Sequence, residues 1–575
     1  MSSPMQQESW SIPAPVWKWI RWPLWVFAWV ICFWAIDDRS HHARNEFNTD
    51  KWKKQHQRGD GNSGHTYIDF GGQWLSGRMV YEGYGSELYN RNRQREVARR
   101  GFSLWDEHAT SQESILPPSK RKRGAGDADA KHDADALMNW LVGKDPEEWM
   151  GLGKAIAVPL MTGSHGNPIA AVLLQHTAAE QVTHPTLEKL HRPARGGALY
   201  PPIHGLFYAP LASMPPLQAY YAFQLICIAA AVVAGAAVVV MSRGRIWWPV
   251  ATAVIMLYPG SRPGLDLGQN HLITTLILIV GWTLYVRGYE VGAGIVWGFL
   301  AYKPVWAIAF LLVPMLMGRM RFFLAMAATG LGLIAITLPI VGINAWFHWF
   351  EVGNNASGTY STDQNWLRLS RDLAGLGRRL IVDVDNAPWP KSDLADILGW
   401  VLPLAVLSIT AAVYLIRADR DKTTGITAGY ILLAGYLGCF RFMYYDVTLS
   451  LVAIAAIFAN PWSMLKSTTF TVVGTHDADT PSLARRSCAG YVNSFPLLIL
   501  LAMLLLDYML IGTKLHWLIE INSDSRTLID ATGGTSKYTP NITATTDYYY
   551  PTDTYLLLIL WAWCGWRVWR DGERA

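Results

Sequence analysis

Charge is what this sequence has least of. Only 16% of its 575 residues are Asp, Glu, Lys or Arg, against roughly 25% in an ordinary soluble domain. A chain of several water-exposed domains is therefore excluded. Cysteine is scarce and scattered: Cys32, Cys227, Cys439, Cys488 and Cys564 form no pair at metal-ligand spacing, so neither a disulfide framework nor a zinc site is expected. The net charge of +5 is too small and too dispersed for a nucleic-acid surface. There is no Gly-rich phosphate loop and no evident internal repeat. The first apolar block is followed by Asp37-Asp38-Arg39 with no small-residue cleavage site, so it reads as a retained anchor.

What is abundant is apolar. Hydrophobic residues make up 51% of the chain, in blocks of about 18–25 residues, the length that crosses a bilayer's hydrocarbon core. They lie near 16–36, 217–241, 246–259, 267–286, 291–318, 321–345, 397–417, 424–440, 444–460, 490–512 and 553–569. The expected fold is an all-α polytopic membrane protein. Lys and Arg near helix ends favour the cytoplasm. Lys18/Arg21, Arg243/Arg245, Arg287, Arg319/Arg321, Arg417/Arg420/Lys422, Lys466/Arg485/Arg486 and Arg567/Arg570 can all be inside on one condition. The block 291–318, basic at both ends, must be two short helices meeting at Lys303-Pro304, where proline interrupts the helical ladder. One long tilted helix is the alternative, and it would invert every later basic loop. The paired reading gives about twelve helical passes, with both termini cytoplasmic.

The chain then divides into four parts. Residues 1–36 are a cytoplasmic N-terminus and first transmembrane helix, and 37–216 form a first outer loop. Residues 217–460 are a transmembrane core with an outer loop at 346–396. Residues 461–575 are C-terminal helices with an outer loop at 513–552. Within the first loop, 102–195 reads as an insertion, low-complexity from Ser119 to Asp135.

Polar residues at outer helix mouths are the candidates for chemistry. Asp69 stands in Tyr67-Ile68-Asp69-Phe70-Gly71-Gly72. A carboxylate in an apolar setting is a stronger base, which suits general-base work; the alternative is a loop Asp that makes turn hydrogen bonds. Asp37 and Asp38 are rival bases, placed at the outer C-terminal end of the first helix, where the dipole disfavours an anion. Tyr200-Pro201-Pro202 precedes the second span. In Gly268-Gln269-Asn270-His271 the consecutive polar side chains fan around a helix start, either as satisfied helix-start groups or facing the bundle interior. Lys303 is sharper, because an intramembrane ammonium costs at least about 2.5–3.5 kcal/mol at a helix centre and marks a function or a partner. A phosphate is a natural partner. Arg441 and Asp446 flank Tyr444-Tyr445 at another outer mouth.

The order of Asp69-Phe70, Tyr200-Pro201-Pro202, Gly268-Gln269-Asn270 and Lys303-Pro304 resembles the integral-membrane GT-C glycosyltransferases. The branch is that of bacterial polyprenol-phosphate-mannose-dependent α-1,2-mannosyltransferases and related arabinosyltransferases. Asp363-Gln364-Asn365-Trp366-Leu367, followed by Arg371 and Leu373, fits the fourth outer loop of that branch. The resemblance covers 16–100 and 198–460; the insertion and the 513–552 loop depart from it and bear on acceptor choice. It implies an inverting transfer of a sugar, mannose ahead of arabinose, from a polyprenyl phosphate to a glycan or glycolipid acceptor. Asp69 is the implied general base. Lys303, His271, Asn270, Gln269 and Arg441 are the implied donor-binding residues, with Asp38, Tyr200, Gln364, Asn365 and Tyr445 in support. No cofactor, metal or nucleic acid is implied beyond the lipid-linked co-substrate. The implied location is the bacterial inner membrane, in cell-envelope synthesis, with the site facing outside. A transporter of a lipid-linked sugar or small solute is the rival. It is disfavoured by the missing repeat and by ionisable groups gathered at outer helix ends rather than at the midplane.

Overall fold

The computed structural model describes residues 14–46, 70–90, 93–94, 97, 199–362, 367, 369–381, 392–460, 494–511, 528–529, 535–536 and 551–572. Asp69, Gln364, Asn365, the insertion at 102–195 and most of the 513–552 loop lie outside them. The described part is helical, apart from a two-residue antiparallel pair, Leu528–Ile529 with Thr535–Ser536. In chain order the helices are α1 (Ala14–Glu46), α2 (Gly71–Tyr81), α3 (Pro202–Tyr208), α4 (Pro216–Met241), α5 (Trp248–Leu257), α6 (Ser261–Asp266), α7 (His271–Val286) and α8 (Glu290–Gly298). They continue with α9 (Pro304–Leu316), α10 (Met320–Thr362), α11 (Leu373–Ile381), α12 (Asp393–Arg417), α13 (Ile426–Leu437), α14 (Leu451–Ala459), α15 (Ser494–Ile511) and α16 (Thr552–Gly572).

Among the described residues, four stretches are long and apolar enough to cross a membrane: Trp19–His41, Gln218–Met241, Met320–Gly353 and Asp393–Arg417. Shorter apolar helices fill the bundle between them. Every residue of α13 is buried, as a helix apolar on all sides should be. Trp19, Trp22, Phe27, Leu225, Leu331 and Ile416 instead face outward. Such a surface would be a liability in water and is ordinary in lipid. The chain is an integral membrane protein.

One expected boundary moves. The first helix does not stop at Ile36 but runs on to Glu46, because charged residues alone do not end a helix. Asp37 and Asp38 are therefore interior to α1 and not at its C-terminal end, so the dipole argument against them does not apply. The helix after Met320 breaks at Gly342 (φ 74), three residues after Pro339 and close to the expected end at 345, and a second helical stretch runs on to Thr362. The expected outer loop at 346–396 thus begins as helix.

The block 291–318 is interrupted where proline demands it. A 3-10 turn, Phe299–Tyr302, follows α8, and Lys303 separates it from α9. Small residues let α8 and α10 approach closely. A Cβ on Gly294 would meet Phe322 and Ala325, and one on Gly298 would meet Thr329. Residue numbers rise together along this contact, so α8 and α10 run parallel and α9 returns between them. Arg319 accordingly reaches Glu290 at 3.7 Å, bringing the two ends of the block together.

The inter-helix turns fall into two sets. Arg287 donates to the Val240 carbonyl, Arg245 to that of Ala459, Arg319 to Asp421, and Arg417 covers the Trp569 ring. These gather the basic turns and the end of α16 at one end of the bundle. The start of α7 lies at the other end, about 24 Å away along its 16 residues. The Tyr220 hydroxyl donates there to the Ala43 carbonyl at 2.9 Å, with the Leu265 carbonyl at 3.2 Å as its alternative acceptor.

Candidate active site

The second end is built from short elements tied together by polar side chains. Phe70, which follows Asp69 in the chain, is buried against Tyr208, Tyr220 and Phe223. Gly268 faces it with φ +65, and a Cβ there would come within 2.7 Å of the Phe70 Cβ. From α2, Gln73 Nε2 donates to the Gly268 carbonyl at 3.2 Å, while its Oε1 meets His204 Nε2 at 3.2 Å. His204 lies between Tyr200 and Tyr208 in a parallel stack, at 4.1 and 4.6 Å. Burial, and then the charge of Lys303, hold the His204 imidazole well below the ordinary histidine range, so it is neutral.

The Gln269-Asn270-His271 run fans out as consecutive helix-start residues must. Gln269 accepts from the Tyr200 hydroxyl at 2.8 Å. His271 places Nδ1 3.0 Å from the Gln269 carbonyl and lays its ring on Gly264, where any Cβ would collide with it. Asn270 is buried with neither end of its amide hydrogen-bonded among the described residues. An unpaired buried amide is costly, so Asn270 calls for a partner from water or a ligand.

Lys303 stands next to this turn. Its neighbour Tyr302 bonds the Thr274 hydroxyl and the Asn270 carbonyl, fastening the helix break to the start of α7. The ammonium itself is paired with Asp446, Nζ to Oδ1 at 2.9 Å, and lies 5.7 Å from the centre of the Tyr445 ring. The natural partner expected for Lys303 is a phosphate; in the structure a carboxylate, Asp446, holds it. Among the described residues no group of His, Cys, Asp and Glu is placed to hold a metal ion.

A third segment closes the end. Ser370 and Met443 form an antiparallel bridge, and Arg371 N donates to the Phe442 carbonyl. The buried Arg371 guanidinium lies 2.9 Å from Asp553 at the start of α16. Burial pushes the Arg379 guanidinium down to about 9, with Arg371 contributing; burial also raises the Asp372 carboxyl. Arg441 sits in this turn with φ 57, a strained conformation for a residue with a side chain.

Residues 198–440 match the family model of glycosyltransferase family 87. No curated protein matches the chain, and no solved structure does. The matched segment holds Tyr200, His204, Gln269, Asn270, His271 and Lys303, while Gln73, Arg441, Tyr445 and Asp446 lie outside it. Together with the apolar helices the match supports a membrane glycosyltransferase.

The structure brings Gln269, Asn270, His271, Tyr200, Lys303 and Tyr445 into one neighbourhood, with Arg441 across the Ser370–Met443 bridge. Asp38 is exposed on α1, 3.7 Å from Arg39. Sequence reasoning missed His204 and Gln73. The only available signal was position, since both sit one helical turn into segments that begin at Tyr200 and Asp69.

Proposed function

We propose that the chain transfers a sugar, mannose ahead of arabinose, from a polyprenyl-phosphate donor to a hydroxyl of a glycan or glycolipid acceptor. The observation that carries this reading is the buried Lys303 ammonium beside the unpaired Asn270 amide, inside the family-matched segment. The Asn270 amide N–H groups and the Lys303 N–H groups that Asp446 does not take suit an oxyanion that arrives with substrate.

Asp69 takes the proton of the acceptor hydroxyl as its oxygen attacks the anomeric carbon. The bond from that carbon to the phosphate oxygen breaks, and polyprenyl phosphate leaves. One displacement inverts the centre. Lys303 and Asn270, with Gln269, His271 and Arg441, bind the phosphate, whose negative charge builds on the leaving oxygen. Because the leaving group is carried by lipid, the reading calls for neither a nucleotide nor a nucleotide-bound metal. The basic end of the bundle faces the cytoplasm, and the site faces outside across the bacterial inner membrane.

The test is incubation of purified protein with labelled polyprenyl-phosphate mannose or arabinose, or a nucleotide sugar, and a panel of glycan acceptors. Transfer from the lipid-linked sugar alone, unchanged by EDTA, is expected. Transfer from the nucleotide sugar, or loss of activity in EDTA, overturns the donor class. For orientation, a cysteine replacing Asp530 is expected to label from outside; labelling only from the cytoplasmic side reverses the topology.

A further inference from the structure

Lys303 stands at the junction of two short helices, its N–H on the Leu300 carbonyl and its carbonyl accepting from Trp306 and Ala307, bonds that hold its backbone but not the end of its long side chain. Its aim must come from elsewhere. Asp446 Oδ1 is its hydrogen-bond acceptor at 2.9 Å, and both side chains are 6% exposed. Asp446 is in turn fixed by backbone. It lies in the first turn of the 3-10 helix Tyr444–Ser450, with its N–H on the Met443 carbonyl. The Tyr444 and Tyr445 carbonyls pack on Gly260, whose φ of +89 and lack of a Cβ permit that approach.

An ammonium has three N–H donors. Asp446 takes one, and the described residues offer no hydrogen-bond acceptor to the others. Its charge reaches both His204 and His271, and Tyr302 joins the break to the Asn270 carbonyl. The open donors therefore stand beside the turn that carries the unpaired Asn270 amide. Asp446 also lies beyond the family-matched segment, so a residue outside 198–440 completes the surroundings of Lys303.

Resting on the donor-phosphate reading above, we propose that Asp446 is a positioning residue for Lys303. It keeps the ammonium buried and aimed, leaving two N–H groups for the oxygens of the donor's phosphodiester. A diester carries one negative charge, so the ammonium can serve it and the carboxylate together.

The experiment measures binding of a short-chain polyprenyl-phosphate mannose in the absence of acceptor, acceptor KM and thermal midpoint for detergent-solubilised full-length protein. The variants are Lys303→Ala, Asp446→Asn, Asp446→Glu and the Lys303→Ala/Asp446→Asn double. Asp446→Asn is expected to weaken polyprenyl-phosphate mannose binding about tenfold or more while acceptor KM is unchanged, as loss of a charge-oriented contact implies. Asp446→Glu, which keeps the charge but moves it by a methylene, falls between. The double variant binds no worse than Lys303→Ala alone, because nothing remains for Asp446 to aim. Wild-type or tighter binding by folded Asp446→Asn, beside weak binding by Lys303→Ala, overturns the positioning role alone. Losses that multiply in the double variant overturn it too. Normal binding by Lys303→Ala overturns the donor-phosphate reading and the positioning role with it. If Asp446→Asn does not fold, Asp446→Glu decides: binding equal to wild type overturns the role.

Discussion

Lys303 and Asp446, 143 residues apart in the chain, meet at 2.9 Å with both side chains buried. Removing one member of a buried pair leaves an uncompensated charge and costs about 3–5 kcal/mol, whereas replacing both with apolar groups is often neutral. Lys303→Met is therefore expected to lower the thermal midpoint sharply, and Lys303→Met/Asp446→Leu to recover most of it without activity. A single variant as stable as wild type would place the Asp446 charge in contact with water.

If Asp69 is the general base, Asp69→Asn keeps size and hydrogen bonding but loses proton acceptance. Single-turnover transfer is expected to fall by about 10²–10⁴-fold, the usual contribution of such a base, while donor affinity holds. Normal turnover in the variant would return attention to Asp37 and Asp38, now seen inside α1.

The neutral His204 gives a pH dependence with a definite sign. Its folded pKa is depressed, by burial first and then by Lys303, from an ordinary value of 6.5. Below that value the unfolded chain binds a proton that the native state refuses, so stability falls as pH falls and is flat above. Each pH unit below 6.5 costs up to about 1.4 kcal/mol from this residue until its folded pKa is reached. Thermal midpoints between about pH 8 and pH 5 are expected to drop less steeply for His204→Gln than for wild type. Parallel slopes would show that His204 protonates freely.

Gly264 has no room for a side chain, since its Cβ would lie 2.2 Å from the His271 ring. Gly264→Ala must displace either α6 or the imidazole, an overpacking that typically costs about 1–3 kcal/mol. The expected result is lower thermal stability together with weakened donor binding, and His271→Ala in the same background should restore part of the stability. Wild-type stability in Gly264→Ala would mean that α6 rides freely over His271.

The sequence by itself determined the features that act within one segment. Blocks of bilayer length are legible because hydropathy sums locally, and the Lys303-Pro304 break because a missing N–H and a ring clash operate on adjacent turns. The fan of Gln269, Asn270 and His271 follows from consecutive numbering alone. Local reading failed at Asp37-Asp38-Arg39, where charge was taken as a helix end although no proline or glycine stops α1 before Glu46. The tertiary structure decided the partnerships: Lys303 with Asp446, Arg371 with Asp553 across 182 residues, and Gln73 with Gly268 across 195. A buried charge or amide must be met by something, but its own segment does not say by what. Which helix ends converge at one end of the bundle depends on how all the apolar faces pack at once, and only that packing chose Asp446 for Lys303.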